Sequence, residues 1–304
     1  MIQVFSNKKQ KPHHYGFMEL DKGYDPYAVG FNPVEISISD DGVNWRSMYD
    51  LPELEGIYCV DSPWVAPAKQ TDEYQKVGIN DGQSLLSSSY DQREIQAKFS
   101  FHGIDANDVK LAFDVLQRFF VRRSCYWICF DSWPARMYYV KASTIEQDSL
   151  TDQGFAVTIT FVDQIGLSRS VGTTGDWDNR VVGFGNNETK PESYSFNTNN
   201  FVVDNLSDVL IDPERRGHPL KITVSGSSSG KFKLTNKMTG DSISRDKGFS
   251  GTFVLDGVNP TLNGQGDLLN TNYGIITLQI GSNNFQVENF SGTVKFDFPM
   301  WWLS

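Results

Sequence analysis

The stretch REIQAKFSFHGIDANDVKLAFDVLQRFFVRRSCYWICFDSWPARMYYVKASTIEQDSLTDQGFAVTITFVD, Arg93 to Asp163, reads as a strand, a helix and three strands, and holds almost nothing suited to chemistry. In its opening, Ile95, Ala97, Phe99 and Phe101 alternate with Glu94, Gln96, Lys98 and Ser100. That period of two is what a strand with one buried face requires. Further on, Val109, Ala112, Phe113, Leu116, Phe119 and Phe120 fall at the i, i+3, i+4, i+7 spacing of a helix stripe. Asp105 is placed to cap that helix and Asp108 stands in its first turn, while Arg118, Arg122 and Arg123 gather near its end, as the helix dipole favours. The closing run alternates again through Phe155, Val157, Ile159 and Phe161. A helix laid across a sheet accounts for every residue here, and none is left over for catalysis.

The whole chain has 304 residues, a length that suggests about two domains. Its 21 Phe, 12 Tyr and 7 Trp supply burial more than its aliphatic residues do. Gly, Ser, Asn and Asp between short apolar runs favour β-rich architecture, so the expected class is mainly β with one helix. No run of apolar residues is long enough for a membrane span, and MIQVFSNKKQKPHH lacks the apolar core of a secretory signal, so folding in a cytoplasm is expected. The net charge is −10, with 18 basic and 26 acidic residues in 1–190 against 9 and 11 in 191–304. No basic stripe results, which argues against a sequence-independent grip on nucleic acid.

Outward from the opening stretch, EISISDDGVNW (35–45) reads as a hairpin with Ile36 and Ile38 on one face, a turn at Asp40 to Gly42 and Trp45 on the return. Residues 61–92 hold two prolines and few periodic apolar positions, the mark of a surface excursion or a functional arm. Residues 166–195, rich in Gly, Asn, Ser and Thr, read as a linker on which Trp177 and Phe184 pack locally. The expected domains are therefore 1–165 and 196–304. The second shows short alternating runs and turn signals at the spacing of a β-sandwich. Leu220, Ile222 and Val224 share a face, as do Ile276, Leu278 and Ile280, and Gly281 to Asn284 is read as a tight turn.

The search for chemistry returns little. Cys125 and Cys129 on one strand would lie about 13 Å apart, too far to bridge, and with Cys59 they are read as reduced core thiols. His13 and His14 have no acidic sequence neighbour and are read as solvated; His102 and His218 stand at a turn and in a loop. No Gly-x-Ser-x-Gly elbow, phosphate loop, calcium loop or zinc spacing occurs, so no catalytic residue, metal ligand or cofactor is assigned. Trp301 and Trp302 are the candidate contacts, either for a saccharide or for a partner protein. Adjacent residues on a strand point to opposite faces, so at most one of them is expected in the core.

Arg93-Glu94-Ile95, Gly103-Ile104-Asp105, Trp133-Pro134-Ala135-Arg136-Met137-Tyr138 and the run from Gly154 to Asp163 resemble, in order and spacing, the N-terminal half of siphophage distal tail proteins. The loops Asn236 to Asp241 and Gly281 to Asn284, the turn Leu255-Asp256-Gly257, and Phe296 and Phe298 resemble the galectin-like C-terminal domain of the same proteins. The resemblance implies an N-terminal β-sandwich that forms a ring, with residues 61–92 as an arm on the neighbouring subunit, and a C-terminal galectin-like β-sandwich. It implies a homohexamer in the virion, at the distal end of a long non-contractile tail, assembled in the host bacterial cytoplasm. Its implied partners are copies of itself, the major tail tube protein, the tape-measure protein and the tail-associated hub or fibre protein. DNA would pass through the channel without specific binding, and no membrane is involved. The alternative is a carbohydrate-binding adhesion module that recognises host cell-wall saccharide.

Overall fold

Burial of one face of each alternating run builds both halves of the molecule. A computed structural model describes residues 2–14, 25, 27–79, 81–179 and 193–304. They divide into one unit of Ile2–Val171 with Leu303–Ser304, and another of Gly172–Trp302. Besides a short parallel pair, His13–His14 with Ala28–Val29, the strands of the first unit are β1 (Pro33–Val34), β2 (Ile36–Ser39), β3 (Arg46–Ser47), β4 (Ile57–Val65), β5 (Lys69–Gln75), β6 (Ser84–Asp91), β7 (Arg93–His102), β8 (Tyr126–Phe130), β9 (Arg136–Thr151), β10 (Gly154–Asp163) and β11 (Ser168–Ser170). Its main sheet runs β1-β4-β7-β10-β9-β8-β2-β3, with β11 also against β9 and β5-β6 forming a separate hairpin.

Only Glu35 separates β1 from β2, yet they lie near opposite ends of this order. The sheet must therefore curl until its ends meet. Glu35 sits in that seam, 1% exposed; it accepts from the Ser6 amide and the Ser47 hydroxyl at 2.5 Å each and pairs with Lys11 at 2.7 Å. Those contacts satisfy a carboxylate that would be costly to bury alone.

Helix α1 (Ala106–Phe120) closes the core. The Asp105 carboxylate caps it by accepting from the amides of Asn107 at 2.8 Å and Asp108 at 3.1 Å. Val109, Ala112, Leu116, Phe119 and Phe120 are buried, whereas Phe113 is only half-buried, edge-on to Phe155 at 5.7 Å. Phe120 is the centre of the packing, 5.2 Å from Phe99 and 5.3 Å from Phe161. Strand β8 is buried on both faces: Tyr126, Ile128 and Phe130 meet this core, while Trp127 and Cys129 join Val4 and Met137 in a second cluster. Two covered faces explain why YWICF is continuously apolar.

The expected hairpin forms between β2 and β3, with Gly42 at φ +75° and the Asp41 carboxylate accepting from the Val43 and Asn44 amides at 2.8 Å. Those hydrogen bonds, led by the one from Asn44, hold the Asp41 carboxyl well below the usual range. Strand β9 continues to Thr151, beyond the apolar run, and pairs with β10 through two irregularities in register.

The second unit is a sandwich. One sheet runs β12 (Ser195–Phe196), β21 (Ser291–Asp297), β14 (Lys221–Ser228), β17 (Phe249–Asp256), β18 (Asn259–Leu262) and β19 (Gln265–Gly266). The other runs β13 (Asn200–Asn205), β20 (Gly281–Glu288), β15 (Phe232–Asn236) and β16 (Ser242–Arg245). Phe rings join the sheets: Phe201 stacks on Phe196 at 4.4 Å and Phe285 lies 4.8 Å from Phe296.

The structure corrects the reading of 274–284. Ile276 and Leu278 are buried on an irregular segment, Ile280 is exposed, and Gly281 to Asn284 opens β20 instead of turning. Asn283 is one cause. Its buried amide donates to the carbonyls of Gln279 at 2.9 Å and Gly281 at 3.0 Å, and its Oδ1 accepts from the Gln279 amide at 2.9 Å. With a backbone bridge between Ile211 and Leu278 and the Thr277 amide donating to the Asp241 carboxylate at 2.9 Å, these side-chain contacts hold the segment where a regular strand would have paired. Phe184 and the side chain of Trp177 lie outside the described residues, as does much of the 166–195 linker.

Arg93 and Asp163 face each other across β7 and β10, almost fully buried, with Nε to Oδ2 at 3.1 Å. Asp163→Ala is expected to destabilise the first unit by about 3–5 kcal/mol in denaturant unfolding, because it strands a buried guanidinium. Arg93→Met combined with Asp163→Leu should cost far less, since no charge is then left unpaired.

Candidate assembly interface

Residues 61–92, read from the sequence as a surface excursion or a functional arm, form strands. β4 pairs with β7 up to Val60, bulges over the next residues with Asp61 at φ +62°, and pairs again at Trp64 and Val65. The bulge leaves the Trp64 indole exposed. The chain then makes the β5–β6 hairpin, paired from Lys69↔Asp91 to Gln75↔Ser84, with a register shift after Glu73.

Nearly every residue of this hairpin is exposed. Tyr74, Val77, Ile79, Leu85 and Leu86 all project into solvent, and Tyr74 stands opposite Leu85. Local contacts hold the hairpin: Lys69 lies 3.4 Å from Asp91, Ser87 donates to Glu73 at 3.0 Å and Tyr74 to Asp72 at 3.1 Å. Hydrogen bonds from the Gln92 amide and then Thr71 draw the Asp91 carboxyl downward, and the hydrogen bond to Asp72 raises the Tyr74 phenol. The sequence did carry one signal: Asp81-Gly82 is a hairpin-turn dipeptide, and Gly82 adopts φ +80°. KQTDEYQ, on the strand before it, shows no alternation to go with that signal.

The candidate contacts Trp301 and Trp302 are both buried, at 4% and 0% exposure. The expectation that at most one could enter the core is therefore corrected, because both faces of this segment are covered. The Trp301 amide donates to Ser207 Oγ at 3.0 Å, and the Trp302 indole donates to the Leu206 carbonyl at 3.2 Å. His218, placed by the sequence only in a loop, stacks on Trp301 at 5.1 Å with its Nδ1 3.0 Å from the Leu210 carbonyl. Neither indole offers an open face for a sugar.

The remaining candidates do not converge. His13 lies 3.7 Å from Asp25, an acidic neighbour that the sequence did not reveal, and His102 is exposed at the end of β7. All three cysteines are free; Cys59 and Cys129 are buried, which pushes both thiols up, and Cys125 is half-buried. Among the described residues no group of three His, Cys, Asp or Glu could hold a metal, and no helix is long and apolar enough to cross a membrane.

Residues 59–162 match the family model described as "Phage tail protein RIFT-related domain". Among solved structures, the chain is similar to the SPP1 Dit protein, described as "a Paradigm of Hub Adsorption Apparatus in Gram-positive Infecting Phages". The identity is 16% and the TM-score 0.59, over 87% of this chain and 99% of that one. A chain of the phage P2 baseplate in its activated conformation with Ca is also similar, at 10% identity and a TM-score of 0.39, over 88% and 98% of the two chains. Only the first of these bears on the fold, which is mainly β and shared with SPP1 Dit. No curated protein matches the sequence.

Burial lowers the pKa of His218, against the opposing pull of Leu210 and Asp212. The folded chain therefore binds this proton less well than the unfolded chain does, and stability is lost as pH falls below the ordinary histidine value of about 6.5. His218→Asn, which keeps a donor for Leu210, should track the native chain above pH ~7. Below it the native chain should lose stability relative to the variant, by at most about 1.4 kcal/mol per pH unit, in pH-resolved thermal unfolding.

Proposed function

We propose that this chain, with a phage tail RIFT-related domain over residues 59–162 and the fold of a distal tail protein, is a structural virion component that works by assembly. Copies of it form a ring at the distal end of a long non-contractile tail. One face of the ring meets the tail tube and the tape-measure end, the other the hub or fibre protein. The channel lets DNA pass without holding it, in keeping with a net charge of −10. The ring is a homohexamer, and its role is architectural instead of catalytic.

The observation that carries this reading is the β5–β6 hairpin. A two-stranded hairpin is marginal in water by itself, and its open strand edges invite pairing. This one adds exposed Tyr74, Val77, Ile79, Leu85 and Leu86. Cover from a neighbouring copy removes both liabilities at once. A head-to-tail contact whose rotation closes makes a ring and leaves no hairpin bare. Each such interface should bury more than ~1,000 Å².

Light scattering on the purified chain should report a multiple of the 34.3 kDa protomer mass. Negative-stain images of the same sample should show a central hole. Replacing residues 72–88 with a two-residue Asn-Gly turn should give a folded monomer. A native chain that stays monomeric at high concentration would sink the reading.

A further inference from the structure

We infer that Leu303 and Ser304 form a latch that withholds the full stability of the first unit until the second unit has folded. In sequence the first unit is split: it runs from Ile2 to Val171 and resumes at Leu303, with Gly172–Trp302 given over to the second. On their return, Leu303 and Ser304 meet two buried guanidiniums, those of Arg93 and Arg136, 4% and 1% exposed.

Arg93 Nη1 donates to the Leu303 carbonyl at 2.5 Å, and Arg136 Nη1 donates to the Ser304 carbonyl at 3.0 Å and to the Ser304 hydroxyl. The Ser168 hydroxyl of β11 also donates to the Ser304 carbonyl. The Trp133 ring, 3.9 Å from the Arg136 guanidinium, holds that cation in place. Leu303 and Ser304 are themselves exposed, so charge-assisted hydrogen bonds retain them more than apolar burial does. The first unit is the partner that suffers when they leave. Both cations then stay fixed in β7 and β9 with acceptors missing, and a buried charge tolerates that poorly. Water entering the vacated seat recovers part of the loss, at a cost in ordering.

What brings the latch home is the fold of the second unit. There the Thr174 amide donates to the Phe298 carbonyl at 2.9 Å, the Thr174 hydroxyl to the Phe296 carbonyl at 3.0 Å, and the Gly175 amide to the Asp297 carboxylate at 2.9 Å. Gly175 suits that close approach, since a Cβ would fall 2.6 Å from the carboxylate. The unit thus clamps its incoming chain to its outgoing chain. Unfolded, the same segment would be a long flexible loop, and closing it costs entropy that grows with the logarithm of its length. Folding of the sandwich removes most of that cost, and the latch engages. A chain that misfolds beyond Val171 keeps a loosened first unit, open to proteolysis. The device stands apart from the ring reading.

Hydrogen exchange read by mass spectrometry on the full chain reports the two units separately. Deleting Leu303 and Ser304 should lower amide protection in β7, β9 and β11 at least about tenfold, while β14 and β20 keep theirs. In an Arg136→Met background the same deletion should cost a clearly smaller factor, which a tail that merely packs would not produce. Phe253→Asp, in the second unit's core 5.9 Å from Phe232, should unfold that unit and lower first-unit protection as the deletion does. Three results would each overturn the inference: unchanged protection of β7 and β9 after the deletion, an equal loss with and without Arg136, or a fully protected first unit beside an unfolded second.

Discussion

The buried pair of Arg93 and Asp163 fixes what the rest of the first unit depends on, the register of β7 against β10. Side chains on a strand alternate, so a slip of one residue would turn Ile95, Ala97, Phe99 and Phe101 to solvent and carry Phe155, Val157, Ile159 and Phe161 away from α1. Apolar packing alone tolerates some exchange of partners. A charge in the core does not, because moving it away from its counter-ion leaves both unsatisfied. The guanidinium also donates to the Ala66 carbonyl at 3.4 Å and lies 5.7 Å over the Tyr138 ring, so it ties the start of the hairpin and β9 to the same point. In the second unit Arg245 and Asp267, both buried and 2.5 Å apart, join β16 to the segment after β19.

How much could be read from the sequence follows from how each element is stabilised. Strands β7 and β10 and helix α1 bury one face, so their periodicity is written in the residues. Segment 274–284 misled because Ile276 and Leu278 alternate like a strand while many of the hydrogen bonds that set its path come from the side chains of Asn236, Asp241 and Asn283. Polar side chains that imitate backbone leave no hydropathy pattern. The terminal tryptophans misled for a related reason. Alternation says which way an indole points, but not that something waits on each side to cover it.

The hairpin marks the other limit. Its strands bury nothing within the chain, so KQTDEYQ and SLLSSSYD show no clean alternation. Where the partner surface lies on another molecule, a single sequence holds only half of the pattern. The polar cross-strand contacts that hold the hairpin in solution are individually weak. Its shape is preorganised enough to dock, yet its stability is left for a neighbour to complete.

The placement of the sulfur atoms has a chemical consequence. Attack by oxidants requires the thiolate, and burial keeps Cys59 and Cys129 protonated as well as out of reach. A particle built from this chain could leave a reducing cell, persist in aerated surroundings and return to another host with those two thiols unmodified. The durability of those two thiols in air would then rest on shielding.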